Sequence, residues 1–186
     1  MVLTIAQLGQ PVLRQVAAEV PAEEIASPEL QKLLDDMLET LRAAGAAGLA
    51  APQVFSGRRI FLAAIHPAAA EGQPPGVEFF INPKLTPLTE ERSLAWEGCL
   101  SFVELLVLVP RYRRVRVDYL DRRGQARALE LDGFPARVVQ HEYDHLEGIL
   151  TLDRAPSTRH IVKASEIDAV LEEAEAARRA RGEQPA

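Results

Sequence analysis

Residues 133–148 read GFPARVVQHEYDHLEG, and the rest of the chain is read outward from them. His141 and His145 are four apart, so on a helix they share one face and both imidazoles can reach one ion. Glu142 lies beside them, where a carboxylate can handle the proton of an activated water. The stretch reads as a helix from Gly133 to Gly148, with Pro135 tolerated in the first turn. With Phe134 set to zero, Val138, His141 and His145 fall at about 40°, −20° and 20° around its axis. The histidines therefore belong to an apolar, inward stripe. An H-E-x-x-H pattern arises by chance in roughly one chain of this length in a few hundred. A single buried His is more often a satisfied core residue, but two at ligand spacing around a Glu point to a metal site. His66 and His160 have no such partners and read as surface or loop residues.

A catalytic ion needs a third protein ligand and an open position. The candidates are a carboxylate and Cys99, the single cysteine. A lone Cys is usually a small core hydrophobe. Here Gly98 precedes it and Glu97 lies two residues before, which lets the backbone come close to something. A thiolate would compensate the ion's charge and select a soft or borderline metal. One cysteine forbids an intramolecular disulfide and suits a reducing compartment.

Outside this region the elements are mixed. Ser27-Pro28-Glu29 reads as a helix start, with leucines and a methionine at 3.6-residue spacing as far as Ala43 and Gly45 as the stop. Residues 59–65 and 77–81 read as strands, the second stopped by Asn82-Pro83, with a surface loop over 67–76. Strands follow at 105–109 and 113–120, then a turn over 121–124 and a return strand over 125–131. Residues 165–181 read as a charged third helix, and the tail 182–186 as frayed. Strands outnumber helices without regular alternation. The expectation is one α+β domain over residues 1–186, with mostly antiparallel sheets around a central metal-binding helix and further helices near the two termini.

The chain has 186 residues, 47% of them hydrophobic and 26% charged, with net charge −6 and pI about 5.3. These values are ordinary for a soluble globular protein and unlike those of a basic nucleic-acid binder, so no direct nucleic-acid binding is expected. The longest uncharged apolar run is too short for a bilayer, and the first residues do not read as a signal peptide, so no membrane association is expected.

Three motifs carry a family resemblance. Glu97-Gly98-Cys99-Leu100-Ser101 resembles the second signature of the peptide deformylases, and His141 to His145 resembles their third, with Gln140 ahead of it. Gly48-Leu49-Ala50-Ala51-Pro52-Gln53 resembles their first. Order and spacing agree, and the resemblance runs from Gln10 to Asp153. It implies a hydrolase that removes the formyl group from the N-terminal formylmethionine of nascent polypeptides, in the cytoplasm and near the ribosome exit. It implies Cys99, His141 and His145 as ligands of one divalent ion, Fe²⁺ natively and Zn²⁺, Ni²⁺ or Co²⁺ as isolated. It also implies Glu142 as general base and acid, and the Gln53 side chain and Leu100 backbone N–H as oxyanion donors. Glu97 and Arg111 match an ion pair behind the Cys-bearing segment, and Asp144 is expected to face away from the ion as an outer or solvent contact. Ala47, Trp96, Phe134 and Val138 are candidates for the wall or rim of a methionine pocket, with Gly48 and Gly98 offering backbone hydrogen bonds to substrate. Two departures stand out. Ala46 occupies a position that is usually Gly, where a positive φ would cost about 1 kcal/mol or more. Phe102-Val103-Glu104 replaces a segment that usually contains Pro.

Two other classes use similar residues. A metallopeptidase would bring a His, Glu or Asp as third ligand and would not depend on Cys99. A non-catalytic relative would only capture nascent N-termini, which the intact Glu142 and Gln53 argue against.

Overall fold

The first long helix begins where its sequence provides a cap. In the computed structural model, which describes residues 1–68, 70 and 73–180 except the side chains of 177, 178 and 180, α1 spans Pro28–Ala44. Ser27 Oγ accepts from the Leu30 N–H at 3.1 Å, and Gly45 closes the helix at φ 61°, a left-handed conformation that costs glycine little. Seven strands follow: β1 Gly48–Ala50, β2 Ile60–Ala68, β3 Pro75–Pro87, β4 Arg92–Glu97, β5 Leu105–Tyr112, β6 Arg114–Leu120 and β7 Ala126–Asp132. Then come α2 Gly133–Leu146, the single turn α3 Thr151–Arg154, β8 Ile161–Lys163 and α4 Ile167–Ala180. The strands form a five-stranded sheet in the order β1-β2-β3-β6-β7 and a three-stranded sheet in the order β4-β5-β8. Every strand pairing in the two sheets is antiparallel, so the α+β expectation holds.

Period-two alternation along β2 explains how two helices share one sheet. Ile60 and Leu62 pack with Leu30, Leu34, Met37 and Leu41 of α1. Phe61 and Ala63 point the other way and pack with Ala136, Val139 and Leu146 of α2. Both faces of the first half of β2 are thus buried, which is why residues 60–65 are continuously apolar. A third cluster, with Leu13, Cys99, Phe102, Val107, Val109 and Leu150, fills the space beside the smaller sheet. α2 lies between the two sheets and is buried almost all round, including Arg137, Gln140, Glu142, Asp144 and His145.

Several boundaries differ from the sequence reading. β3 does not stop at Asn82-Pro83; it passes through a register shift between Ile81 and Lys84 and continues to Pro87. Asn82 sits at φ 50°, a region Asn tolerates better than most residues. Its side chain accepts from Val20 N–H and donates to Val20 O, both at 2.8 Å. A bulge of this kind absorbs the two residues without ending the strand. The segment read as a loop over 67–76 is shorter, because Pro67, Ala68, Pro75 and Gly76 are strand. β4 was not expected, since Arg92, Ser93 and Leu94 are exposed and leave no clear alternation. The third helix starts at Ile167 after a 3-10 turn over Ala164–Glu166, and the tail 182–186 lies outside the described residues. Ala46 is not among the positive-φ residues, so its side chain carries no backbone penalty there. Among the described residues, no helix is long and apolar enough to cross a membrane.

Asn82→Ala removes both hydrogen bonds to Val20 and leaves an alanine in a left-handed conformation. The expected loss of unfolding free energy is about 2–3 kcal/mol, read by urea denaturation. A loss below about 0.5 kcal/mol would show that the bulge does not depend on this side chain.

Candidate active site

Helical spacing places His141 and His145 side by side on α2, with ring centroids 5.1 Å apart. Cys99 arrives from the other sheet, in the turn just after β4, and its Sγ lies 3.4 Å from His145 Nε2. Ligand atoms of Cys99, His141 and His145 all lie within 4.8 Å of one another. Tetrahedral coordination with a thiolate and imidazoles requires ligand atoms about 3.5 Å apart, so the three donors fit one ion. Burial, followed by the charges of His141 and Arg111, pushes the His145 imidazolium far below its ordinary range. His145 is therefore neutral, with a lone pair available. Burial opposes charge on His141 too, but the Cys99 sulfur and the Glu97 carboxylate outweigh it and hold its pKa up to about 10. A positive charge is thus favoured at the place where a cation would sit.

The Glu97 carboxylate orients this centre. Its Oε2 meets His141 Nδ1 at 3.0 Å and accepts from Arg111 Nη2 at 2.9 Å. Its Oε1 accepts from Arg111 Nε at 3.0 Å and from Arg137 Nη1 at 2.6 Å. The expected Glu97–Arg111 pair is present and deeply buried. Arg137 was missed because only the fold reveals that it reaches Glu97; the one available signal was its position four residues before His141. Asp144 faces away from the ligand atoms, as expected, but it is no solvent contact. It is buried and pairs with Arg111 and Arg154, because α2 has the smaller sheet and α3 against that face.

Glu142 is buried and its Oε2 has no hydrogen-bond partner among the described residues. Burial is the largest influence on it and pushes its pKa up to about 7. The carboxylate rests against the backbone of Gly48, where an added Cβ would stand 2.2 Å from Glu142 Oε1. Gln53 comes from the 3-10 helix Ala51–Val54. Its Oε1 accepts from the Ala50 N–H at 2.9 Å, while Nε2 donates to Cys99 Sγ at 3.5 Å and to Ser101 Oγ at 3.3 Å. Ser101, fully buried, is a second residue the motif reading left without a role.

A cavity of about 410 Å³ opens over this group. Ala47, Gly48, Trp96, Gly98, Phe134 and Val138, all expected near substrate, line it together with Gln53, Leu100 and Glu142. Phe134 does so from the rim, since it is 64% exposed and not part of an inward stripe. It stands in the first turn of α2, beyond the cover of both sheets. Val103, 65% exposed, reaches the same cavity from the segment that departs from the usual Pro-containing pattern. Its neighbour Phe102 is buried in the third core cluster.

The polypeptide deformylase family model matches residues 2–160. The chain belongs to the polypeptide deformylase family. A Nostoc peptide deformylase 2 is 40% identical over 166 residues, 88% of this chain and 92% of that protein. The Met-Ala-Ser-bound class I type b peptide deformylase of Acinetobacter baumannii superposes with TM-score 0.76 at 37% identity, over 83% of this chain and 98% of that one. The Thermotoga maritima peptide deformylase gives TM-score 0.75 at 37% identity, over 84% and 99%. The family's reaction, hydrolytic removal of the N-formyl group from nascent polypeptides, is therefore this chain's reaction. Deformylases are metal-dependent, and Cys99, His141 and His145 form a group able to hold an ion.

Burial by itself would raise the Glu97 carboxyl, but hydrogen bonds from His141 and Arg111 outweigh it and bring its pKa down to about 2 from the ordinary 4.5. A depressed carboxyl contributes stability above the unfolded value, and that stability is lost as pH falls through the folded value. In metal-free protein, acidification from pH 4.5 toward 2 should remove about 3 kcal/mol through this group. Denaturant unfolding across that window should show a shallower acid loss in Glu97→Gln, and equal slopes would contradict the assignment.

Proposed function

We propose that the whole chain acts as one catalytic domain in which Cys99, His141 and His145 hold a divalent ion beside Glu142. The convergence of these three donors on one point, next to a buried carboxylate oxygen with no partner among the described residues, carries this reading. The thiolate–imidazole set is compatible with Fe²⁺, Zn²⁺, Ni²⁺ and Co²⁺ alike; the family resemblance makes Fe²⁺ the proposed native ion, with the others able to replace it on isolation. When bound, such an ion supplies Lewis-acid polarisation and makes water a nucleophile near neutral pH.

The chain's own groups do the rest. Glu142, buried beside the donors and held as a carboxylate by the ion's charge, takes a proton from the attacking water and returns it to the leaving α-amine. The products are formate and a free N-terminus. Gln53 is the side-chain donor to the oxyanion. Its Oε1 is fixed by the Ala50 N–H and one amide hydrogen is engaged by Ser101. The weaker contact to Cys99 Sγ is the one it exchanges for the developing charge. The Leu100 backbone N–H is the second donor. The methionine side chain occupies the cavity, with Ala47, Trp96 and Val138 as wall, Phe134 at the rim, and Gly48 and Gly98 offering backbone groups. The substrates are formylated nascent peptides met in the cytoplasm, close to the ribosome exit.

The deciding experiment measures formate release from formyl-Met-Ala-Ser alongside metal content. Glu142→Gln should retain its ion and lose about 10²–10⁴-fold in turnover, whereas Cys99→Ala should lose the ion itself. Unchanged turnover in Glu142→Gln would remove the proposed base, and peptide-bond cleavage with full activity in Cys99→Ala would favour a peptidase. Gly48→Ala gives an independent check. Its Cβ overlaps the Glu142 carboxylate, so kcat should fall at least about tenfold with metal content kept; wild-type kcat would show that Glu142 does not need its present position.

A further inference from the structure

The deformylase motifs leave Arg137 without a role, yet its guanidinium makes more polar contacts than most side chains near the site. Nη1 donates to Glu97 Oε1 at 2.6 Å and to Val109 O at 2.9 Å. Nη2 donates to Ser93 O at 2.6 Å and to Ser93 Oγ at 3.0 Å. The side chain is buried and lines the wall of the catalytic cavity.

Its place on α2 gives these contacts a direction. Arg137 and His141 are four residues apart on one helix face, and both reach the same carboxylate, Arg137 through Oε1 and His141 through Oε2. Glu97 stands at the end of β4, two residues before Cys99. Through it α2 is held at two successive turns to the strand that delivers the sulfur. Arg111 also links Glu97 to α2, through Asp144 and Gln140 O, but it does so from β5 and on the helix face turned away from the ligand atoms, whereas Arg137 reaches Glu97 from α2 itself, one turn before His141. We propose that Arg137 is a positioning residue for the metal centre, fixing the Glu97 carboxylate so that His141 presents its Nε2 to the point shared with Cys99 and His145. The inference rests on the metal-site reading above. Without Arg137, Glu97 keeps its two-point contact with Arg111 but loses the donor from the helix turn before His141, so carboxylate and Arg111 can shift together relative to α2 and take His141 Nδ1 with them.

The test uses Co²⁺ as the probe ion, with affinity read by chelator competition and geometry by the thiolate-to-Co²⁺ and d–d absorption bands. Arg137→Met keeps the aliphatic stem and removes the guanidinium. Its Co²⁺ affinity should weaken about ten- to a hundredfold, as expected for loss of a partner that orients a ligand. The d–d bands should shift, KM for formyl-Met-Ala-Ser should stay within about twofold, and Arg137→Lys should recover part of the affinity. A brace that only stabilises the fold would lower the unfolding midpoint and leave affinity and bands unchanged, which would overturn the proposal. If Arg137→Met does not fold, Arg137→Lys is read alone, and wild-type affinity and bands in it overturn the proposal equally. In a cycle with Glu97→Gln, the two losses of affinity should be far from additive, since both act through one carboxylate; additive losses count against it. A wild-type protein without a thiolate-to-Co²⁺ band would instead defeat the metal-site reading itself.

Discussion

One carboxylate holds the two halves of the site together. Glu97 ends β4, and its two oxygens meet Arg111, Arg137 and His141 at 2.6–3.0 Å. The strand that carries Cys99 and the helix that carries both histidines belong to different layers, and neither has a covalent reason to keep its distance from the other. The ligand atoms of an ion must be placed to within a few tenths of an ångström. Apolar packing of α2 on the five-stranded sheet fixes the helix against β2, but not against the smaller sheet. Directional, charge-assisted hydrogen bonds do that, because they specify both distance and angle.

A buried charge is costly unless paired and fully hydrogen-bonded, which explains why the polar side chains of α2 come as a network. Arg111 satisfies Glu97 on one side and Asp144 on the other, and Arg154 covers the remaining face of Asp144 from α3. Gln140 ties α2 to both the N–H and the carbonyl of Tyr112. Each ionic group sits where one sheet lies against the helix, so the network also sets the angle at which α2 crosses the smaller sheet. Among the described residues two buried atoms of α2 are exceptions, Glu142 Oε2 and His145 Nδ1, which have no hydrogen-bond partner. A buried carboxylate oxygen left without a partner calls for an explanation, and the base role proposed for Glu142, which lines the cavity, supplies one.

The parts of this arrangement that were legible in the sequence are the local ones. His141, Glu142 and His145 announce themselves because helical spacing is a property of the chain alone. The cap at Ser27, the stop at Gly45 and the apolar β2 are legible for the same reason. What escaped depends on partners far away in sequence. Arg137 looks like an ordinary helix charge until β4 and β5 are laid against it, and Asp144 looks solvent-facing until Arg111 and Arg154 close over it. β4 has too few buried residues to show a period. Asn82-Pro83 reads as a stop because its compensation, the paired hydrogen bonds to Val20, comes from sixty-two residues away. Phe134 fits the apolar stripe by angle, but angle around a helix says nothing of where the covering sheets end.

The electrostatics of the centre follow from the same geometry and bear on how an ion enters. The pocket brings a thiol, two imidazoles and the carboxylates Glu97 and Glu142 into a buried space. Before an ion binds, the Cys99 sulfur and the Glu97 carboxylate favour a positive charge on His141 itself, holding its pKa up to about 10. In the proposed metal site an arriving divalent ion would need the lone pair that this proton occupies, so binding would displace the proton and acid would compete with metal. Glu97 keeps its hold on His141 Nδ1 in either state, because that contact leaves the other ring nitrogen free. In that proposal the histidine would exchange a proton for an ion without turning its ring, and the preformed orientation would limit the entropy lost on binding. The same cation would draw down the Glu142 pKa from about 7, favouring the carboxylate form that the proposed base role requires.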